Sequence, residues 1–206
     1  MSRKTENIPV DMWKFEKELY DEYKVICGID EAGRGCLCGN VCAAAVILPP
    51  GIELEGVTDS KKLSPKKREE LFDIITEKAI SYGIGWATPE EIDEINILNA
   101  AFLAMKRAAE KLTVKPDIAL IDGNKIRGFD IPTKCIVKGD ALSMSIAAAS
   151  ILAKVSRDRY MCELAEKYPQ YKLDIHKGYP TKEHYKLLAE NGIQPIYRKT
   201  FLKNVH

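Results

Sequence analysis

The chain has 206 residues, of which 46% are hydrophobic and 30% are charged, proportions typical of a globular protein with a sizeable core. Its 31 basic and 30 acidic residues leave a formal charge of +1, which excludes a histone-like polycation but permits a nucleic-acid site of locally clustered charge. We expect one domain over residues 1–206, located in the cytoplasm. No apolar run approaches the roughly 20 residues of a membrane span, and the N-terminus has no secretory pattern.

Five apolar segments bounded by turn residues predict β-strands. They cover 25–30, 41–48, 81–87, a stretch ending at Asp122, and 133–139. The first two follow one another directly, which favours an antiparallel hairpin, whereas the later strands alternate with helical segments and favour crossover connections.

Four segments have helical signals: 64–80, 88–112, 140–160 and 181–191. Ser64 and Thr181 are placed as N-caps, and Thr88 with Glu91 three residues later forms a capping-box pattern. Gly192 is placed to end the last helix. The order β-β-α-β-α-β-β-α-α predicts an α/β fold, with a mixed five-stranded sheet flanked by helices and a small helical C-terminal part from about 170 to 206.

Four acidic residues lie where secondary structure changes. Asp30 and Glu31 end the first strand, Asp122 ends the fourth, and Asp140 is expected to begin a helix. If the strands carrying Asp30 and Asp122 are parallel neighbours, these acids meet at one sheet edge, where four carboxylates would not all stay ionised without a cation. A pair of Mg²⁺-type ions roughly 4 Å apart can activate water for phosphodiester cleavage, so the pattern favours a two-metal nuclease site.

Each acid also has an ordinary structural explanation, and the residues alone leave these alternatives open. Asp140 could be a helix N-cap, Asp122-Gly123 is a common turn dipeptide, and one of Asp30 and Glu31 could simply be solvated. The basic segment KKLSPKKR, residues 61–68, could contact nucleic acid or could be a solvated surface.

The segment VICGIDEAGRG, residues 25–35, resembles the opening signature of the ribonuclease HII family, the type 2 ribonucleases H. Further blocks in the family's order are DSKKLSPKKRE (59–69), ALIDG (119–123), KGDALSMSIAAASILAKVSRDR (138–159), HKGYPTKEH (176–184) and PIYRKTF (195–201). The resemblance implies a ribonuclease H-like fold. It also implies hydrolysis of RNA in RNA/DNA hybrids and 5′ of single ribonucleotides in duplex DNA, leaving a 3′-hydroxyl and a 5′-phosphate.

By matching position, the resemblance makes Asp30, Glu31, Asp122 and Asp140 the catalytic acids. In the family these hold two divalent ions, usually Mg²⁺ with Mn²⁺ as a substitute. The implied substrate is an RNA/DNA hybrid or a DNA duplex containing ribonucleotides, and the resemblance assigns the chain to ribonucleotide removal, replication and repair. We expect a monomer without a membrane partner.

The resemblance also implies substrate-binding residues. Gly33, Arg34 and Gly35 match the loop that recognises the 2′-hydroxyl, and Tyr179 matches a tyrosine that packs on the sugar at the RNA–DNA junction. The segment Ser60, Lys61 and Lys62 matches a stretch that contacts the nucleic-acid backbone. Without the family, Tyr179 would be interpreted as a half-buried tyrosine ahead of a capped helix.

The chain departs from the family pattern at three positions. Cys38 and Asn40 stand where alanine and proline are usual, and losing the proline frees a backbone N–H and a φ angle behind the Gly-Arg-Gly loop. Tyr197 stands where histidine is common. His176 and His184 flank the Tyr179 segment, and their spacing does not favour a shared ligand role.

The six cysteines are expected to be reduced thiols. Cys27, Cys36, Cys38 and Cys42 lie within sixteen positions and suggest a zinc site, but their spacing is not that of paired CxxC motifs. Small buried hydrophobic residues are the favoured interpretation.

Two other functions remain as alternatives. Another nuclease or a polynucleotidyl transferase could share the fold, although it would have no use for a 2′-hydroxyl sensor. A catalytically silent nucleic-acid-binding module would have no use for four acids, because carboxylates repel phosphate unless a metal lies between them.

Overall fold

The computed structural model describes residues 11–202, except for the side chain of Lys62. Its centre is a five-stranded sheet of order β3-β2-β1-β4-β5. The strands are β1 Ile26–Ala32, β2 Val41–Ile47, β3 Ser81–Ala87, β4 Ile118–Asp122 and β5 Thr133–Ile136. β1 and β2 form the expected antiparallel hairpin, whereas β1 with β4 and β4 with β5 are parallel. The predicted mixed five-stranded sheet is confirmed.

Helices cover both faces of this sheet. They are α1 Lys14–Lys17, α2 Pro65–Lys78, α3 Pro89–Glu110, α4 Met144–Lys167, α5 Leu173–His176 and α6 Lys182–Asn191. The helix α3 packs on one face, and α4 packs on the other with α2 beside it. Within the described residues, no helix is both long enough and apolar enough to cross a bilayer.

The caps predicted from local sequence are confirmed at three helices. The Ser64 hydroxyl accepts a hydrogen bond from the Lys67 N–H, and the Thr181 hydroxyl accepts one from the His184 N–H. At α3, Thr88 and Glu91 bond reciprocally in a capping box. These contacts span three residues, so tertiary packing does not alter them.

The helical region predicted over 88–112 is present as α3, but it is kinked at one position that the sequence did not indicate. Asn96 has φ of 66°, and its side-chain oxygen accepts hydrogen bonds from the N–H groups of Leu98 and Asn99. The second part of α3 therefore begins with its own Asn cap, because asparagine tolerates the left-handed conformation and can satisfy free N–H groups.

The prediction that Asp140 begins a helix was wrong. Asp140 lies in a 3₁₀ turn, Gly139–Ala141, and α4 starts at Met144 with Ser143 as its N-cap. The Ser143 hydroxyl accepts the hydrogen bond from the Ile146 N–H. Asp140 is therefore not engaged as a helix cap.

A third cluster of side chains joins the C-terminal helical part to the segment after β1. Its buried members include Leu37, Cys38, Met161, Tyr171 and Tyr197. Cys38 and Tyr197 also form an isolated antiparallel bridge. The segment leading out of the Gly-Arg-Gly loop is therefore fixed by the last residues of the described chain.

Candidate active site

Two of the predicted acids leave neighbouring strands at the same edge of the sheet. β1 and β4 pair in parallel through Ile29 and Ile121, and the next residues are Asp30 and Asp122. Residues in register on parallel strands point to the same face, so both carboxylates lie on the side covered by α4. Asp140 follows a glycine whose N–H donates to Asp122 Oδ1 at 2.7 Å. Asp140 is thereby joined to this edge.

Burial and mutual repulsion raise the pKa values of the carboxylates at this edge. Burial raises the pKa of Asp30 well above its usual range, and the charges of Glu31 and Asp122 raise it further. Burial also raises the pKa of Asp122, and the charge of Asp140 adds to this effect. These shifts arise because a desolvated carboxylate beside other carboxylates is stabilised only by a proton or a cation.

Two basic side chains partly neutralise the acids. The guanidinium of Arg34 lies 2.9 Å from Glu31 Oε1, and Lys61 Nζ lies 3.5 Å from Asp140 Oδ2. Both cations are more than half exposed, so each ion pair is weak and can be exchanged. Arg34 and Lys61 belong to the segments for which the family resemblance implies substrate contacts.

The donor set fits a hard divalent cation in its chemistry. Its ligands would be carboxylate oxygens, and Glu31 Oε2 is buried without a hydrogen-bond partner. As arranged, no three His, Cys, Asp or Glu side chains within residues 11–202 form a group that could hold one ion. Glu31 and Asp140 are paired instead with Arg34 and Lys61.

One cleft joins the acids to the predicted substrate-binding residues. Its lining includes Asp30, Glu31, Gly33, Arg34, Gly35, Ser60, Lys61 and Tyr179, together with Ser150 and Lys154. Asp122 and Asp140 are not part of this lining. The charge of Asp122 acts on Asp30, and Asp140 forms an ion pair with Lys61, and both of these partners line the cleft.

The Gly-Arg-Gly loop is held by two buried arginines that the sequence analysis missed. Arg157 donates to the carbonyls of Cys38, Asn40 and Lys177, and it packs so closely on Gly33 that a Cβ there would lie 1.9 Å from its Nε. Gly33 also has φ of +93°, so only glycine fits this position.

The second arginine, Arg198, donates to the carbonyls of Arg34, Cys36 and Gly39. Each of these bonds joins residues at least 159 apart in the chain, so spacing gave no sign of them. Both arginines lie in family blocks, which was the only available signal.

Tyr179 and Ser60 both line the cleft. The Tyr179 side chain is 41% exposed, and Lys154 Nζ lies 5.8 Å from the centre of its ring. Ser60 is buried, shares a 2.8 Å hydrogen bond with the hydroxyl of Ser150, and presents its carbonyl to Arg68. Ser60 thus positions the basic segment, whereas Tyr179 offers an exposed ring.

The departures from the family pattern are accommodated by hydrogen bonds. The side-chain oxygen of Asn40 accepts from the Tyr160 hydroxyl at 3.2 Å, and its carbonyl accepts from Arg157. The Gly39 N–H donates to the Ile196 carbonyl at 2.8 Å. The loop is therefore anchored without the proline.

The cysteines near this loop are buried free thiols. Four of them are fully buried: Cys27, Cys36, Cys38 and Cys42. Burial raises the pKa of Cys27 and of Cys38 to about 12, which disfavours the thiolate that zinc requires. This environment agrees with the interpretation as small hydrophobic residues.

Comparison with known proteins agrees with the pattern of blocks. The family model described as Ribonuclease HII matches residues 27–205. The chain belongs to the ribonuclease HII family. It is 53% identical over 199 residues to the ribonuclease HII of Caldicellulosiruptor saccharolyticus, covering 96% of this chain and 97% of that one. It is 55% identical to the ribonuclease HII of Clostridioides difficile, covering 93% and 75% of the two chains.

A solved structure supports the fold independently. The ribonuclease H2 from Pyrococcus horikoshii OT3 superposes with a TM-score of 0.72 at 29% identity, covering 85% of this chain and 93% of that one. Family membership makes this chain a type 2 ribonuclease H, a hydrolase that acts as an endonuclease on RNA/DNA substrates. Dependence on a divalent metal is a property of the family.

Proposed function

We propose that this chain nicks duplex DNA on the 5′ side of single embedded ribonucleotides, and cleaves the RNA strand of RNA/DNA hybrids, leaving a 3′-hydroxyl and a 5′-phosphate. The observation that carries the proposal is the shared cleft, whose lining includes Asp30 and Glu31 together with the Gly-Arg-Gly loop and Tyr179. The residues proposed for the chemistry would thus be adjacent to those proposed for recognition of the sugar.

Asp30, Glu31, Asp122 and Asp140 would hold two divalent ions, Mg²⁺ or Mn²⁺. When bound, the ions supply an activated water and stabilise the charge that develops on the leaving oxygen. The pKa values of Asp30 and Asp122 are raised because their ionised forms are buried beside other carboxylates. A bound cation would stabilise these ionised forms, which supports their role as ligands. Glu31 brings a buried oxygen that lacks any other partner.

The remaining cleft residues would bind and select the substrate. The backbone of Gly33 to Gly35 would approach the 2′-hydroxyl closely, because two of its three residues lack a side chain. Tyr179 would stack on the adjacent deoxyribose, where an extra hydroxyl would obstruct it. Arg34, Lys61 and Lys62 would contact phosphates, and Ser60 would fix the turn that carries the lysines.

We further propose that the protein acts as a cytoplasmic monomer in ribonucleotide removal during replication and repair. Sedimentation at concentrations that support full activity tests the monomeric state. A stable dimer under those conditions would contradict it.

The central test uses a labelled DNA duplex that contains one ribonucleotide. We expect a single nick 5′ of that ribonucleotide with Mg²⁺ or Mn²⁺, and no nick in excess chelator. The matched control is the same duplex with a deoxyribonucleotide at that position. Equal cutting of the two duplexes would remove the specificity claim, and cutting in chelator would remove the metal claim.

A further inference from the structure

Two buried histidines are stacked behind the segment that carries Tyr179. The rings of His176 and His184 lie 4.0 Å apart with an interplanar angle of 22°. Both side chains are buried, and neither reaches the cleft lined by the acids. His176 ends α5 and His184 lies in the first turn of α6, so the pair encloses the loop between these helices.

The hydrogen bonds of His176 determine which of its nitrogens carries the proton. Its Nε2 lies 2.8 Å from the Tyr171 carbonyl, which can only accept, so Nε2 is the protonated nitrogen. Its Nδ1 then accepts a hydrogen bond from the Gly178 N–H at 3.2 Å. A second proton on Nδ1 would face the N–H of Gly178, so this position requires a neutral ring.

The hydrogen bonds of His184 determine the opposite tautomer. Its Nδ1 lies 2.9 Å from the Tyr179 carbonyl and therefore carries the proton. Its Nε2 is left to accept from the Tyr197 hydroxyl at 2.9 Å. Tyr197 is fully buried and thus serves as the fixed donor that selects this tautomer.

Together these contacts fix the loop from three directions. His176 holds the Gly178 N–H, His184 holds the Tyr179 carbonyl, and the N–H of Leu37 donates to the Gly178 carbonyl at 2.8 Å. Leu37 follows the Gly-Arg-Gly loop by two residues. The backbone that presents Tyr179 is therefore locked to the segment that we assign to the 2′-hydroxyl.

We propose that the stacked His176–His184 pair, with Tyr197 as its donor, is a positioning device that holds Tyr179 at the sugar of the substrate and thereby sets the rate of cleavage at RNA–DNA junctions. This inference rests on the proposed role of Tyr179. The three residues touch neither substrate nor metal and act only through the backbone of the loop.

The first experiment compares Tyr197→Phe with Tyr171→Phe. Both remove a buried phenol hydroxyl from the same cluster, but the Tyr171 hydroxyl bonds to the carbonyls of Asn191 and Gly192, away from the loop. Loss of one hydrogen bond should slow nicking of the one-ribonucleotide duplex by about 2- to 10-fold in Tyr197→Phe. Tyr171→Phe should leave the rate within about twofold, and Tyr197→His, which restores an N–H donor, should recover it.

The second experiment separates positioning from general stability. In a Tyr179→Ala background, Tyr197→Phe should have no further effect on the rate, because the ring that it positions is absent. An additive effect, or equal losses in Tyr197→Phe and Tyr171→Phe, would overturn the proposal.

The tautomers are measured without any activity assay. Nitrogen-15 NMR of the histidines at neutral pH should show His176 protonated at Nε2 and His184 at Nδ1. Other tautomers would overturn the positioning device while leaving the proposed function standing. If the unaltered protein fails to nick the one-ribonucleotide duplex but has these tautomers, the proposed function fails instead, and the role at the sugar fails with it.

Discussion

Asp30 is the residue at which the requirements of the fold and of the site conflict most directly. It is 5% exposed in β1, where it directly follows the buried residues Ile26 to Ile29, and burial together with the charges of two further carboxylates raises its pKa. A protein selected only for stability would place an apolar or amide side chain there. A bound cation would remove this conflict by stabilising the ionised carboxylate. The same cation would supply a partner for the buried oxygen of Glu31.

Asp30→Asn should stabilise the metal-free protein at neutral pH by on the order of 1 kcal/mol, because it removes a desolvated charge. The folded protein binds the Asp30 proton more tightly than the unfolded chain does. Wild-type stability should therefore fall as the pH rises from 3.8 through the raised pKa, and the fall should be smaller in the variant, in which only Asp122 keeps a raised pKa at this edge. Thermal unfolding in chelator at a series of pH values measures both the stability difference and its pH dependence. Mg²⁺ should raise the wild-type Tm more than that of the variant, and equal shifts would argue against metal binding here.

Asp122→Asn should lose nearly all cleavage while still binding a one-ribonucleotide duplex. The amide keeps the shape of the side chain and its hydrogen bond from the Gly139 N–H but supplies no anionic ligand. Nicking rates and fluorescence anisotropy measure the two properties. Glu190→Gln, an exposed acid on α6, is the matched control and should change neither.

At the scale of elements, the contact between α4 and β1 decides where the acids lie. A Cβ added to Gly28 would lie 2.1 Å from the carbonyl carbon of Ser145, so the helix backbone rests directly on the strand. Ser145 lies in the first turn of α4, five residues after Asp140, and Gly28 precedes Asp30 by two residues. The same close approach therefore sets the position of Asp140 relative to Asp30.

Gly28→Ala should destabilise the protein by about 2–3 kcal/mol, because a backbone-to-backbone contact has no flexible side chain that could yield. It should also reduce cleavage by moving the turn that carries Asp140. Urea unfolding and nicking rates measure the two effects. Gly35→Ala is the matched control for stability, since a Cβ there meets nothing within 4 Å, and it should change the unfolding free energy by less than about 0.5 kcal/mol.

At the scale of the whole molecule, α4 and the C-terminal helical part together complete the site. Arg157 and Arg198 bind the carbonyls of the segment from Arg34 to Asn40, and the histidine pair fixes the loop that carries Tyr179. Burial lowers the pKa of His176 and lowers that of His184 to about 4. The charges that face His176 are Glu183 and Asp174, and they offset this effect only in part.

This assembly should weaken in acid. The unfolded chain protonates His184 near its ordinary pKa of 6.5, whereas the folded protein does so only near 4, so the contribution of this residue is complete above 6.5 and declines below it. Between pH 6.5 and about pH 5, the contribution of His184 to the free energy of unfolding should fall by about 1–2 kcal/mol. Because Asp30 acts in the opposite direction, the measurement is the difference in urea unfolding between wild type and His184→Asn across this range. A difference that does not change with pH would contradict the assignment.

Several helix and strand boundaries could be predicted from residues that are close together in the sequence. The caps at Ser64, Thr88 and Thr181 and the strand over 81–87 were predicted correctly, because each depends on residues a few positions apart. The break at Asn96 and the turn at Asp140 were missed. An asparagine within a helical pattern, or an aspartate before an apolar helix, is compatible with more than one local conformation, and packing selects among them.

The mixed sheet, the four acids near strand ends and turns, and the blocks shared with the ribonuclease HII family could all be recognised from the amino-acid sequence. The contacts around the cleft became visible only in the folded chain: Lys61 with Asp140, two arginines on the loop from Arg34 to Asn40, and a histidine pair behind Tyr179. The physical reason is the range of the interactions. Caps and strand patterns act over a few residues, whereas the contacts that shape the cleft join segments up to about 160 residues apart, where spacing along the chain carries no information about distance.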